Sequence, residues 1–242
     1  ALSAFGAMPG EKRVGSEVLL SPDEEIGSPA SAALLAELGA RAQLGMTYEP
    51  SLADGGLIDA RKGSGNYSIA FHGRAAHVGR AFADGRSAVM AAAEAAVAID
   101  ALNGQREGVT FNVGAIDGGG PTNVVPDRAV LRVNARAPDD ESAAWADAEI
   151  RRIAANSRDG VEARLHGSFA RPPKPLTASQ RQMVRWVREA GAELGLDLRF
   201  QASGGVCEGN NLAAAGCPNI DTLGACGGGL HSDQQFAPTA SF

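Results

Sequence analysis

Three consecutive acids, Asp23-Glu24-Glu25, follow a short apolar run and lead into Ile26-Gly27-Ser28. Adjacent carboxylates at a strand end can divide two tasks, because successive side chains in a tight loop point in different directions. One can take a proton from an attacking water while the other ligates a metal. Glu49, in Tyr48-Glu49-Pro50, ends a second apolar segment and would stand at the same rim of a parallel sheet. Far along the chain, Gly227-Gly228-Gly229 delivers Leu230-His231, and an imidazole on such a loop can complete a metal site. The plain alternatives are a solvated acidic loop for residues 23–25 and a structural or exposed histidine at 231. His77, between Gly73 and Gly79, either donates to a developing oxyanion or caps a turn. His72 ends a strand and His166 falls in a surface-like hairpin, so neither receives a role. Gly118-Gly119-Gly120 does not open a helix after a strand in a βαβ unit, which excludes a nucleotide cradle.

The elements that would position these groups fall into two rhythms. Glu17 to Ser21 reads as a strand, Ser28-Pro29 as a helix N-cap with proline at the first helical position, and Leu34, Leu35 and Leu38 as a helical stripe stopped by Gly39. With a further strand from Gly45 to Tyr48, this is the βαβ order of a mainly parallel sheet, whose working residues sit at strand C-termini. From Asn66 the order changes. A strand at Tyr67 to Phe71 is followed by an alanine-rich helix from Arg86 to Leu102, then strands at Val109 to Ile116 and Ala129 to Ala135. A helix capped by Asp139 or Asp140, with Trp145, Ile150 and Ile153 on its face, precedes a strand at Val161 to Leu165. That β-α-β-β-α-β order is a ferredoxin-like unit. Arg171-Pro172-Pro173-Lys174-Pro175 is a stiff exit. Thr177 with Gln180 suggests a capping box, followed by Met183, Val187, Ala190 and Leu194 at helical spacing. Strands are expected at Leu198 to Phe200 and Asn219 to Leu223. The expected fold class is therefore α/β, a parallel or mixed sheet layered with helices, interrupted by a ferredoxin-like α+β domain. Its divisions are 1–64, 65–171 and 172–242.

Composition narrows the possibilities. Hydrophobic residues make up 44%, enough for a real core. The 22 Lys and Arg against 28 Asp and Glu give a formal charge of -6, no basis for nucleic-acid binding. No apolar run is long enough to span a membrane. Cys207, Cys217 and Cys226 have no zinc-type Cys-x-x-Cys spacing and read as core or loop thiols. The start at Ala1 lacks both a methionine and a basic leader, so a preceding segment is expected.

Taken together, residues 21–28, Gly73 to Gly79, Thr122-Asn123-Val124-Val125-Pro126 and Gly227 to His231 resemble the M20 metallopeptidase family. The resemblance is to its glutamate carboxypeptidase branch, with acetylornithine deacetylase and succinyl-diaminopimelate desuccinylase as relatives. It implies two zinc ions per subunit, with cobalt or manganese as alternatives, and a ferredoxin-like lid that makes a homodimer. It also implies hydrolysis of an amide beside a free carboxylate, in an N-acyl amino acid or short peptide. By resemblance Glu24 is the general base, Glu25, Glu49 and His231 are zinc ligands, and His77 is the lid histidine that polarises the carbonyl in the partner's site. Asn123 and Arg171 would contact substrate, Arg171 through its carboxylate. The family's early His-x-Asp motif and bridging aspartate are expected ahead of Ala1, so the 242 residues alone are expected to be inactive. Cys207-Glu208 and Gln235 depart from the family pattern. A cytoplasmic setting is expected, a periplasmic one remaining open. The competing reading is a catalytically inactive or truncated dimerising or binding protein on the same scaffold.

Overall fold

The computed structural model describes residues 6–8, 15–229 and 232–239. In chain order the elements are α1 (Ala32–Arg41), β1 (Gly45–Met46), β2 (Leu57–Arg61), β3 (Gly63–His72), β4 (Ala76–His77), α2 (Val78–Ala81), α3 (Ala88–Asp100) and β5 (Thr110–Gly118). They continue with β6 (Val124–Val125), β7 (Arg128–Ala137), α4 (Asp140–Ala155), β8 (Glu162–Arg171), α5 (Ala178–Glu193), β9 (Phe200–Ser203), α6 (Glu208–Ala214) and β10 (Asn219–Ile220).

Strands β5-β7-β3-β8 form one antiparallel sheet in ferredoxin-like order. Period-two alternation in β7 turns Ala129, Leu131, Val133, Ala135 and Ala137 inward, where they meet Tyr67, Ile69 and Phe71 of β3. Helix α3 faces them with Ala88, Ala91, Ala92, Ala95 and Ile99, and its alanines let the helix axis lie close to the sheet. Ala143, Ala146, Ile150 and Ile153 of α4 complete this core. Ser87 caps α3 by accepting the Met90 N–H, and Asp139 caps α4 by accepting the Ser142 N–H.

The flanking layer consists of two short parallel pairs, β1 with β10 and β2 with β9. Leu57, Met183, Val184 and Ile220 form its own small core under α5. Helix α1 packs on α6, and Gly39 makes this possible: a Cβ there would stand 2.7 Å from the Ala215 Cβ. Gly39 is thus inside the helix and not its stop. Several other expectations change. Glu17 to Ser21 makes no ladder among the described residues and is not a strand, and Leu20 of that segment is exposed. Ser31, not Ser28, occupies the N-cap of α1. His166 lies within β8 opposite Ser68, not in a hairpin. Thr177 caps α5, but the Gln180 side chain binds both backbone groups of Asn219, so the capping box is only half made. Strand β2 had no counterpart in the sequence reading.

The two chain crossings between the layers run side by side. Arg61 N–H donates to the Lys174 carbonyl and Lys174 N–H to the Arg61 carbonyl, both at 2.9 Å. Asp221, just after β10, receives Arg61 through Nε at 2.8 Å and Nη2 at 2.7 Å, and Lys174 Nζ at 2.8 Å. Asp221 and Lys174 are each 0% exposed. Burial alone would raise the Asp221 pKa, but Arg61 and Lys174 outweigh it and hold the carboxyl below its usual value. A group depressed in the folded state contributes stability above its unfolded pKa of about 3.9, and that contribution is lost as pH falls through the folded value. Asp221→Asn would leave two buried cations without a counter-charge and is expected to cost about 3–5 kcal/mol. Urea unfolding at pH 7 checks the cost. The variant's deficit should shrink as pH drops below about 4, because the unfolded wild-type chain takes up a proton on Asp221 there while the folded protein holds the carboxylate charged to lower pH.

Candidate functional site

The Ser21–Ser28 segment closes on itself as a tight turn. Glu24–Ile26 is a single 3₁₀ turn, with Gly27 N–H on the Glu24 carbonyl at 2.9 Å and Ser28 N–H on the Asp23 carbonyl at 2.8 Å. Gly27 and Ser28 have φ of 95° and 54°, a left-handed reversal that is ordinary for glycine and strained for serine. Asp23 turns back to accept the N–H groups of Ala30 and Ser31 and the Ser31 hydroxyl. The Ser31 hydroxyl bond is the main reason its pKa falls to about 2. Asp23 therefore serves the turn itself, leaving Glu24 half-buried and Glu25 exposed.

Arg171, 4% exposed at the end of β8, holds Glu24. Its Nη2 donates to the Glu24 Oε1 at 2.8 Å, to the Glu24 carbonyl at 2.9 Å and to Ser28 Oγ at 3.2 Å, while Nη1 reaches Asn211 Oδ1 at 2.9 Å. Nε has no partner among the described residues. The Glu24 pKa is nevertheless raised, first by burial, with Arg171 opposing and Glu25 and Glu208 adding to the rise. Glu49 is raised as well, again first by burial and then by Glu24, Asp221 and Glu208, against Arg61. Glu24 and Glu49 thus share one electrostatic neighbourhood. Its carboxylates repel one another, and a raised carboxyl is suited to proton transfer near neutrality.

Among the described residues the Glu49 carboxylate accepts no hydrogen bond, so a half-buried anion faces other anions. That donor chemistry suits a cation, although no three His, Cys, Asp or Glu side chains among the described residues gather closely enough to hold one. His231 lies outside the described residues.

His77 and Asn123 form a second group. His77 pairs with Val124 across β4 and β6, and the Asn123 carbonyl accepts the Val78 N–H at 3.0 Å. The His77 Nδ1 accepts the Gly79 N–H at 3.1 Å, which leaves Nε2 as the ring's donor. Both side chains are exposed, and neither hydrogen-bonds Glu24 or Glu49.

Sequence reading passed over the polar lattice behind the site: Arg61, Lys174 and Asp221, then Asn210, which donates to the Lys62 and Pro172 carbonyls. A lysine between prolines and an aspartate closing an apolar strand were the available signals. Cys207 sits in this lattice, 3.6 Å from Asp221, and Cys217 is also buried.

Residues 59–160 match the M20 peptidase dimerisation domain. Carboxypeptidase G2 of Pseudomonas sp. (strain RS-16) is 28% identical over 226 residues, covering 90% of this chain and 53% of that protein. One of the subunits of the p-aminobenzoyl-glutamate hydrolase of Escherichia coli (strain K12) is 35% identical over 130 residues, covering 51% of this chain and 28% of that one. The chain is thus similar to M20 peptidases, with their dimerisation domain matched at residues 59–160. The crystal structure of aminopeptidase PepT from Bacillus cereus shares the fold, with a TM-score of 0.75 at 22% identity over 90% of this chain and 58% of that one. The chain spans about half the length of carboxypeptidase G2. His77 and Asn123 fall inside the matched M20 domain, whereas Glu24, Glu25, Glu49 and Arg171 lie in the segments on either side of it.

Burial, reinforced by Asp221, pushes the Cys207 thiol up to about 12. At pH 8 only about one Cys207 in ten thousand is then thiolate, so the native protein should resist iodoacetamide there. Peptide mass spectrometry after alkylation, with and without urea, is expected to show Cys207 modified only in the unfolded chain.

Proposed function

We propose that this chain works as a zinc-dependent M20-type amidohydrolase, cleaving an amide beside a free carboxylate in an N-acyl amino acid or short peptide. The observation that carries the reading is Glu24: a half-buried carboxyl with a raised pKa, held by Arg171 and electrostatically coupled to Glu49, whose carboxylate accepts no hydrogen bond among the described residues. The relative in Escherichia coli is named for an amide of glutamate, which has the required carboxylate next to the scissile bond.

Glu25, Glu49 and His231 are the side chains assigned to the metal, their carboxylate and imidazole donors suiting zinc and also accepting cobalt or manganese. Bound zinc supplies a Lewis acid and an acidified water. Glu24 takes the proton of the attacking water and returns it to the leaving amine. His77 offers its Nε2–H to the developing oxyanion of a partner subunit's substrate, with Asn123 beside it to contact that substrate. Arg171 meets the substrate carboxylate with Nε–H and the second Nη1–H, the two N–H groups that Glu24, Ser28 and Asn211 leave over.

A homodimer through the inserted domain is supported by apolar side chains that its surface leaves open. Met90 and Val97 are seven residues apart on α3, Val97 72% exposed, and Ile116 lies on the edge strand β5. No helix among the described residues is long and apolar enough to cross a membrane. A cytoplasmic setting suits Cys207 and Cys217, buried thiols that belong to no disulfide.

In the zinc-loaded protein, Glu24→Gln is expected to lower turnover of an N-acyl glutamate by about 10²–10⁴-fold with zinc content unchanged. Glu25→Gln should instead lower retained zinc. Elemental analysis paired with amidase rates separates the roles, and equal zinc loss in both variants would reverse the assignments. A wild-type protein that takes up no zinc and cleaves no amide, yet stays dimeric, would leave the binding-protein reading in place. Sedimentation velocity should show a dimer that Val97→Asp converts to monomer.

A further inference from the structure

We propose that Glu208 is a positioning residue that clamps both ends of the Ser21–Ser28 turn and thereby sets where Glu24 and Glu25 stand. The catalytic consequence rests on the amidohydrolase reading, while the clamp itself rests on geometry alone. Glu208 opens α6, and one oxygen, Oε1, accepts both the Ser21 hydroxyl at 2.5 Å and the Ser28 hydroxyl at 2.7 Å. These serines are the first and last residues of the acidic turn. A single carboxylate oxygen on another element thus closes a loop that the two glutamates occupy.

Proton counting supports that arrangement. Ser21 Oγ also lies 3.0 Å from Asp23 Oδ1 and 3.1 Å from Ser31 Oγ, but it has one proton, and its shortest contact is to Glu208. Asp23 has the Ser31 hydroxyl in its place. Ser28 Oγ donates to Glu208 and accepts from Arg171 Nη2, so each of its roles is filled once.

The Ser28 backbone provides an independent sign. A non-glycine residue at φ 54° is strained and persists only where its surroundings over-determine it. Here Ser28 is fully buried, and its hydroxyl is held from one side by Glu208 and from the other by Arg171. The base of the clamp is rigid as well. Asn210, two residues on, ties α6 to the Lys62 and Pro172 carbonyls. Gly209 packs so closely on Asn219 that a Cβ would stand 2.7 Å from its Oδ1. Arg171 fixes the same turn through Glu24 and Ser28. The turn is therefore gripped by an anion from α6 and a cation from the end of β8, whose opposite charges suit the hydroxyl donors and carbonyl acceptor that each one meets.

Three variants test the clamp. Glu208→Ala removes the acceptor, Glu208→Gln keeps an amide oxygen at the same reach, and Ser21→Ala removes one donor from the other side. Amide hydrogen exchange by mass spectrometry on the peptide containing Gly27 and Ser28 is the first readout. Exchange should quicken by about tenfold or more in Glu208→Ala, while peptides from α3 and β7 keep the wild-type rate. Glu208→Gln should stay near wild type. The second readout is amidase kinetics at equal zinc content. Glu208→Ala is expected to lose about 10–100-fold in kcat with KM changed by less than about threefold, and Glu208→Gln to recover most of it. Unchanged exchange in Glu208→Ala, or failure of Glu208→Gln to restore it, overturns the proposal. Should Glu208→Ala fail to fold, Ser21→Ala decides: faster exchange in the turn supports the clamp, and unchanged exchange ends it. A wild-type protein without amidase activity would defeat the reaction proposed above, and the exchange data would still decide the clamp.

Discussion

A single buried carboxylate, that of Asp221, stands against two buried cations where the chain passes out of one layer and returns to it. Arg61 ends β2 on the way into the ferredoxin-like domain, and Lys174 lies just past β8 on the way back. Their backbones hydrogen-bond reciprocally, so Asp221 holds a two-stranded neck from the side. Removing Asp221 would leave both cations stranded in a medium where an unpaired ion costs several kcal/mol, whereas loss of either cation leaves a one-to-one pair. The neck is thus defined by electrostatics more than by area: the nearby apolar cluster is a small group around Leu57 and Ile220, against the broad core of the inserted sheet.

The same triad bears on the candidate site. Two cations facing one carboxylate leave an excess positive charge, and Arg61 is one of the groups that moderate both Glu24 and Glu49. Burial and mutual repulsion still raise both carboxyls. A structural feature and a chemical one therefore share a residue. The neck that fixes the domain crossing also tempers the anionic field in which a base and a metal ligand would work.

The inserted domain solves a different problem. It has its own core of alternating strand residues under two helices, and its alanine-rich α3 trades side-chain volume for close approach. His77 on β4 and Asn123 just ahead of β6 remain exposed, and among the described residues neither hydrogen-bonds the Glu24 turn. Arg171 does the reverse. It ends strand β8 of the inserted sheet yet reaches into the acidic turn, so the last residue of that strand holds Glu24.

Much of this architecture was legible in the residues themselves. Period-two alternation in β3 and β7, helical spacing in α4, and serine and aspartate caps act between near neighbours, and they located the β-α-β-β-α-β unit to within a few residues. The acidic turn could be singled out because adjacent carboxylates after an apolar run can divide proton transfer and metal binding between them. What local pattern could not supply was partnership across the chain. Nothing near Glu208 indicates that Ser21 and Ser28, about 180 residues earlier, donate to its carboxylate. Nor does the sequence around Ser28 distinguish a helix cap from a left-handed corner, since serine serves as a cap at low cost and enters that corner only under tertiary constraint. Glu17 to Ser21 has a strand's composition, but a strand exists only where another backbone accepts its hydrogen bonds, and none of the described segments does so. Residue type and spacing determined which groups could do chemistry. Which of them are buried, paired or left facing one another was decided by contacts between distant segments, because desolvation and charge depend on three-dimensional neighbours and not on sequence neighbours.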